Sequence, residues 1–213
     1  MQDVYNMKVE ANIKVFRKDT GEVLYRGHNI IVNSVRYLFA RLLANSLPSS
    51  PNPPYLLGSA TAYTDPLYGV WGLALGSGSP LWAPETQPDP TSIQTALVQQ
   101  ILRKPLSSVN YVDANLNPLA TFSTTVDFQT TVNSTTDNLT QGIREMGLIG
   151  GGTVNGASGV TDMYTAPYFD PTDTSGPGGG PTPDSVVLVN YKTLSPLILP
   201  AGADIVFSWV ISF

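Results

Sequence analysis

The sequence predicts a mainly β protein, an antiparallel β-sandwich or jelly roll with one packed amphipathic helix and long Pro/Gly loops. Three observations carry this expectation. Charged residues make up only 13% of the chain, about half the usual share, while Gly (19) and Pro (18) are abundant. Turns are therefore frequent, and the polar surface falls to Ser, Thr, Asn and Gln. Several segments alternate apolar and polar residues with period two, and only one keeps a convincing helical period. The 213 residues suffice for one sizeable core. A single sandwich domain is expected over 1–213, with 47–66 and 169–185 as inserted loops.

The elements follow in order. Met7, Val9, Ala11, Ile13 and Val15 are apolar and alternate with Lys8, Glu10, Asn12 and Lys14, the pattern of a half-buried antiparallel strand. "RKDTGE" then supplies Asp and Gly for a hairpin turn, and "VLYRG" returns as its partner. Val35, Leu38, Phe39, Leu42 and Leu43 form a helical apolar stripe over 34–44, capped by Asn33 or Ser34 and stopped before Pro48. Pro, Gly and Ser punctuate 47–90 around one strand-like run, "GVWGLALGSGSP". A short, Gln-rich helix is expected over 91–101. Residues 102–112 read as an edge strand interrupted by Pro105. Over 120–129, Ala120, Phe122, Val126 and Phe128 share a face opposite Thr121, Ser123, Thr125, Asp127 and Gln129. After the 169–185 loop come "VVLVNYKTLSPLIL", broken near Pro196, and "DIVFSWVISF", in which Ile205, Phe207, Trp209, Ile211 and Phe213 line one face.

Composition excludes several classes of function. The net charge is −5, and no basic cluster exceeds a dipeptide, which argues against nucleic acid as a partner. Cys is absent, so neither a disulfide framework nor a thiolate metal site is expected. The start lacks the pattern of a secretion signal, and no apolar run is long enough for a membrane span. A soluble chain is expected, with no membrane partner.

Candidate chemistry is sparse. His28, the lone histidine, stands beside a turn with no identifiable acid partner. "DPTDTS" at 170–175 lacks the dense oxygen ligands and closing Glu of a calcium loop. "LGSGSP" at 75–80 lacks the Lys of a phosphate loop and reads as a tight turn. The Asn133 and Asn138 sequons matter only in a secreted eukaryotic chain. Glu85, Asp89, Asp113 and Asp127 could converge as glycosidase carboxylates, which sequence cannot show. Trp71 and Trp82 are candidate stacking platforms for a glycan. No cofactor, metal or catalytic residue is assigned.

The most informative stretch is "NLTQGIREMGLIGGG", where Arg144 and Glu145 are embedded among apolar residues. Adjacent strand residues point to opposite faces, so the two do not form a dyad. An unpaired buried carboxylate would cost several kcal/mol, roughly, so Glu145 needs donors. The start of the 34–44 helix offers free amides near Asn33 and Ser34. Glu145 is therefore expected as a structural clamp to that helix, with Arg144 facing solvent or a neighbouring subunit.

The order of these features resembles bacteriophage virion proteins of the tail, baseplate or tail-fibre type. "HNIIVNSVRYLFARLLA" matches their "N-x-IVN" opening of a short helix, and "LALGSGSPLWAPETQPDPTSIQTAL" their strand and Pro/Asp-rich loop. "IREMGL" matches their signature after a strand, and "IVFSWVISF" their closing strand. Together these span about residues 29–213, and the Pro/Gly insertions depart from the pattern. The resemblance implies a non-enzymatic structural protein of the virion, assembled in the host cytoplasm. Its expected partners are other virion proteins and copies of itself, a trimer being favoured. The alternatives are a capsid decoration protein, a carbohydrate-binding module and, third, a tail-spike hydrolase.

Overall fold

In the computed structural model, which describes residues 10–32, 70–83, 87–121, 123–151 and 186–212, two antiparallel sheets pack face to face as a β-sandwich. The strands are β1 (Glu10–Arg17), β2 (Val23–His28), β3 (Ile30–Ile31), β4 (Val70–Gly76), β5 (Gln100–Pro105) and β6 (Ser108–Val112). They continue with β7 (Pro118–Leu119), β8 (Thr125–Asn133), β9 (Ile143–Gly151), β10 (Val186–Leu188), β11 (Asn190–Leu197) and β12 (Asp204–Ser212). The first sheet runs β2-β1-β12-β8-β6-β7; the second runs β3-β11-β9-β4-β5, with β10 also on β9. Among the described residues there is no helix. The expected helix over 34–44, its caps Asn33 and Ser34, the loops 47–66 and 169–185, and Glu85 lie outside the described residues.

Period two explains the core. In β12, Ile205, Phe207, Trp209 and Ile211 are all buried and point between the sheets. Register places Val15, Ile13 and Ala11 of β1 opposite Phe207, Trp209 and Ile211, so one inward row continues across both strands. From the second sheet, Leu73, Leu75, Met146 and Leu148 meet that row. Each such side chain contributes roughly 1.5–3 kcal/mol on burial. The β1–β2 turn closes as expected from "RKDTGE": Gly21 takes a positive φ of 72° and donates to the Arg17 carbonyl at 2.9 Å.

Three sequence expectations require correction. Residues 91–99 form turns and bends rather than a helix, and 100–101 already belong to β5; the Val98 and Gln99 amides go to a side chain of β9, as described below. Residues 102–112 are not one interrupted strand. β5 ends at Pro105 as the edge of the second sheet, and β6 begins at Ser108 inside the first. Pro105 thus marks the point where the chain changes sheets. The strand expected over 120–129 starts later, at Thr125, and continues to Asn133.

Alternation also builds a second apolar layer on the far side of the second sheet. Val187 and Val189 join the main core, whereas Val186 and Leu188 cluster with Val32, Trp71, Ala74, Leu97, Ile149 and Tyr191. A polar tie joins the sheets. In the amide orientation that satisfies its neighbours, Asn29 donates to the Ala11 carbonyl (3.0 Å). Its oxygen then accepts from Trp209 Nε1 (2.9 Å) and Asn190 Nδ2 (3.0 Å). Asn190, fully buried, accepts the Leu148 amide at 2.7 Å. Asn29 lies where the chain passes from β2 to β3, so the crossing is fixed to the centre of both sheets.

Candidate functional site

Glu145 lies in β9 with no exposure to solvent, and its carboxylate is fully occupied by donors. Oε1 accepts from the amides of Gln99 (2.7 Å) and Gly78 (3.3 Å). Oε2 accepts from the Val98 amide and from Tyr191 Oη, each at 2.9 Å. A carboxylate offers about four acceptor positions, and four donors converge on this one. Bonds to a charged acceptor are the strong kind, and they offset the desolvation of the ion. The donors come from the segments that follow β4 and precede β5, together with β11. The helix start expected to supply donors, near Asn33 and Ser34, lies outside the described residues.

Arg144 folds over the same β4–β5 segment. Its guanidinium donates to the carbonyls of Trp82 (3.4 Å) and Ala83, and its Cζ lies 5.5 Å from the centre of the Trp82 ring. The two adjacent charges therefore grip one loop: Glu145 holds Gly78 while Arg144 holds residues 82 and 83. Thr193 adds a third attachment, donating to the Pro88 carbonyl at 2.8 Å.

Two glycines make the grip possible. Gly76 pairs with Glu145 across β4 and β9, and a Cβ there would lie 2.7 Å from the Gln99 carbonyl oxygen, as well as against the Glu145 side chain. Gly78 has φ +69°, and a Cβ on it would strike the Trp82 ring. "LGSGSPLW" is thus a turn shaped to let a carboxylate and an indole approach the backbone closely. The sequence signal for this was the Gly-x-Gly spacing after a strand. Tyr191 and the 98–99 amides carried no local signal, being 46 or 47 residues from Glu145.

The remaining candidate residues are separated. Trp71 is only 8% exposed and belongs to the second apolar layer, so it offers no glycan platform. Trp82 is half-buried, with Arg144 on its ring and Gly78 beneath. His28 is exposed at the end of β2 and pairs with Asn12; the same row continues through Val210 to Asp127. Three strand spacings put His28 about 14 Å from Asp127, beyond proton-transfer reach. Asp127 accepts instead from Ser208 Oγ (2.8 Å) and Gln129 Nε2 (2.6 Å). Asp113 caps its own turn, accepting from the Asn115 and Asn117 amides and the Asn117 side chain. Those bonds, the Asn117 side chain first, hold its carboxyl below the ordinary range. Asp89 is exposed on a loop. Asn133 spends its side-chain amide on Gly202 and Asp204, and Asn138 is exposed at a positive φ of 54°.

An ion pair joins two segments distant in sequence. Lys104 Nζ meets both oxygens of Asp137 at 2.8 and 2.6 Å, and Asp137 also accepts the Asn133 amide at 2.9 Å. It ties the edge strand β5 to the loop between β8 and β9. Among the described residues, no group of three or more His, Cys, Asp or Glu side chains is placed to hold a metal ion.

Chemically, a carboxylate with its acceptor positions filled is poorly placed to take a proton from a substrate without dismantling its cradle. The arrangement orders a loop. No family model, curated protein or solved structure matches the chain.

Proposed function

We propose that the chain is a non-enzymatic structural component of a bacteriophage virion, of the tail, baseplate or fibre-attachment type. It assembles by repeated contacts with copies of itself and with other virion proteins. One observation carries this reading: the four segments behind the phage resemblance form mutual ties. "LALGSGS" and "IREMGL" are the neighbouring strands β4 and β9, joined further by the bond from the Gly78 amide to Glu145. Asn29, which opens "NIIVN", accepts from Trp209 of "IVFSWVISF". Segments that depend on one another physically behave as one framework rather than as four coincidences. A chain with only 13% charged residues also suits a protein that covers much of itself with neighbours. The carbohydrate-binding reading has lost Trp71 to the core, and Arg144 already occupies the Trp82 ring.

The test is quantitative mass spectrometry of purified particles from the phage that encodes the chain. A fixed count equal to a few symmetric rings is expected. Hundreds of copies per particle would move the protein to the capsid surface as a decoration protein. Its absence from particles would overturn the proposal.

A further inference from the structure

Among the described residues, β2 pairs only with β1 and forms one edge of the first sheet. The bond from the Asn29 amide to the Ala11 carbonyl sets the phase of this ladder. Hydrogen-bonded pairs alternate along antiparallel strands, so Gly27 and Tyr25 bond to Ile13 and Val15. Arg26 and His28, both exposed, therefore aim their N–H and C=O groups away from β1, along the open edge. Arg26 also stands directly opposite Lys14, in the kind of pair where side chains lie closest. Like charges so placed destabilise a sheet. Neither is neutralised: among the described residues Arg26 makes no ion pair, and Lys14 Nζ lies 4.6 Å from the centre of the Phe16 ring. The surrounding acids are engaged or set apart. Asp19 is paired with Arg17, Asp204 accepts from Asn133, and Asp127, on β8, accepts from Ser208 and Gln129. Glu10 and Glu22 stand at opposite ends of the β1–β2 ladder.

We propose that β2 is a docking edge for an extended acidic segment of another protein, which adds to the first sheet as a further strand. Backbone bonds to Arg26 and His28 hold the segment, and an Asp or Glu on its outer face meets Arg26 and Lys14. Charge selects this occupant over a second copy. Two β2 edges brought together set Arg26 and His28 of one copy against the same residues of the other, and charge on an edge deters such pairing. An acidic side chain instead relieves the repulsion between Lys14 and Arg26. A segment in strand form also satisfies the open N–H and C=O groups together, which a free anion cannot do. The inference goes beyond the virion reading and does not depend on it; within a virion it names the kind of neighbour that this edge takes.

A displayed library of random decapeptides, selected on the full chain, tests this. Selected sequences should carry Asp or Glu at alternating positions and lack Lys and Arg there. The strongest of them, made as a synthetic peptide, should lose at least about tenfold in affinity on Arg26→Glu, which sets like charges together. Arg103→Glu serves as the control: it makes the same change in net charge on β5, an edge of the other sheet, and should leave binding unchanged. Selection repeated on the Arg26→Glu variant should turn to peptides bearing Lys or Arg. Thermal melts matching the parent show that the variants are folded. Amide exchange in the parent separates strand addition from a purely ionic contact. Without peptide, the Arg26 and His28 amides should exchange fast and those of Tyr25 and Gly27 slowly; bound peptide should slow the first two. A library that yields no binder, binders without acidic residues, or binding indifferent to Arg26→Glu would each overturn the proposal. So would Arg26 and His28 amides that still exchange fast with peptide bound.

Discussion

Glu145 and Tyr191 meet at 2.9 Å between the adjacent strands β9 and β11, both closed off from water. The phenol supplies one of four donors to the carboxylate, and the other three are backbone amides that carry the loop past Gly78 and the turn into β5. The pair "RE" in an apolar run is thus the device that fixes one end of the sandwich.

Glu145→Gln keeps the shape but turns one acceptor into a donor facing N–H or O–H groups. It should destabilise the fold by about 1–3 kcal/mol, the penalty for leaving buried donors unpaired. Urea unfolding measures this directly. A variant as stable as the parent would mean that the four bonds contribute nothing net.

Gly76→Ala should be damaging although the added group is a single methyl. Its Cβ would meet the Gln99 carbonyl oxygen at 2.7 Å, and backbone cannot swing aside as a flexible side chain can. A loss of about 1–3 kcal/mol is expected from overpacking. Gly21→Ala is a useful contrast, since nothing lies within 4 Å of its Cβ and only the φ of +72° opposes the change. If the two variants melt alike, close approach at Gly76 is not the constraint.

Asn29→Leu should leave Trp209 Nε1 and Asn190 Nδ2 without their acceptor inside the core. About 1–3 kcal/mol of stability should be lost. Near-ultraviolet circular dichroism of the indoles, with Trp209 at the centre of β12, would register the change. An unchanged spectrum and midpoint would show that the crossing between sheets is held by packing alone.

The Asp113 turn should respond to pH. A carboxyl whose folded pKa is depressed contributes stability above its ordinary pKa, and that contribution is lost as pH falls through the lowered folded value. Asp113 is held low chiefly by the Asn117 side chain. The amides of Asn115 and Asn117 should therefore keep their folded chemical shifts below the pH at which an unperturbed Asp protonates. In an Asn117→Ala variant the transition should move up. Transitions at the ordinary value in both proteins would remove the cap.

What could be read from the sequence was local. Alternation in "ANIKV" and "DIVFSWVIS" gives two central strands and their buried faces, because period two repeats within a few residues. The apolar surroundings of Glu145 point to burial without naming its donors, which lie 46 to 67 residues away and meet it only through the pairing of β9 with β4 and β11. The same distance hid Lys104 and Asp137, 33 residues apart. Pro105 suggested an edge strand, and β5 is one; the change of sheet two residues later leaves no mark in periodicity. Trp71 and Trp82 look alike as letters. Burial separates them, and burial depends on which strand face the fold covers.

The claim that Arg144 and Glu145 order the β4–β5 segment is tested most directly by amide hydrogen exchange at Gly78, Val98 and Gln99. In the parent, all three should exchange slowly although Val98 and Gln99 have exposed side chains, because each N–H is committed to the Glu145 carboxylate. In Glu145→Gln their protection should fall while amides in the middle of β4 and β9 stay protected. Exchange of the three at unprotected rates in the parent would contradict the account.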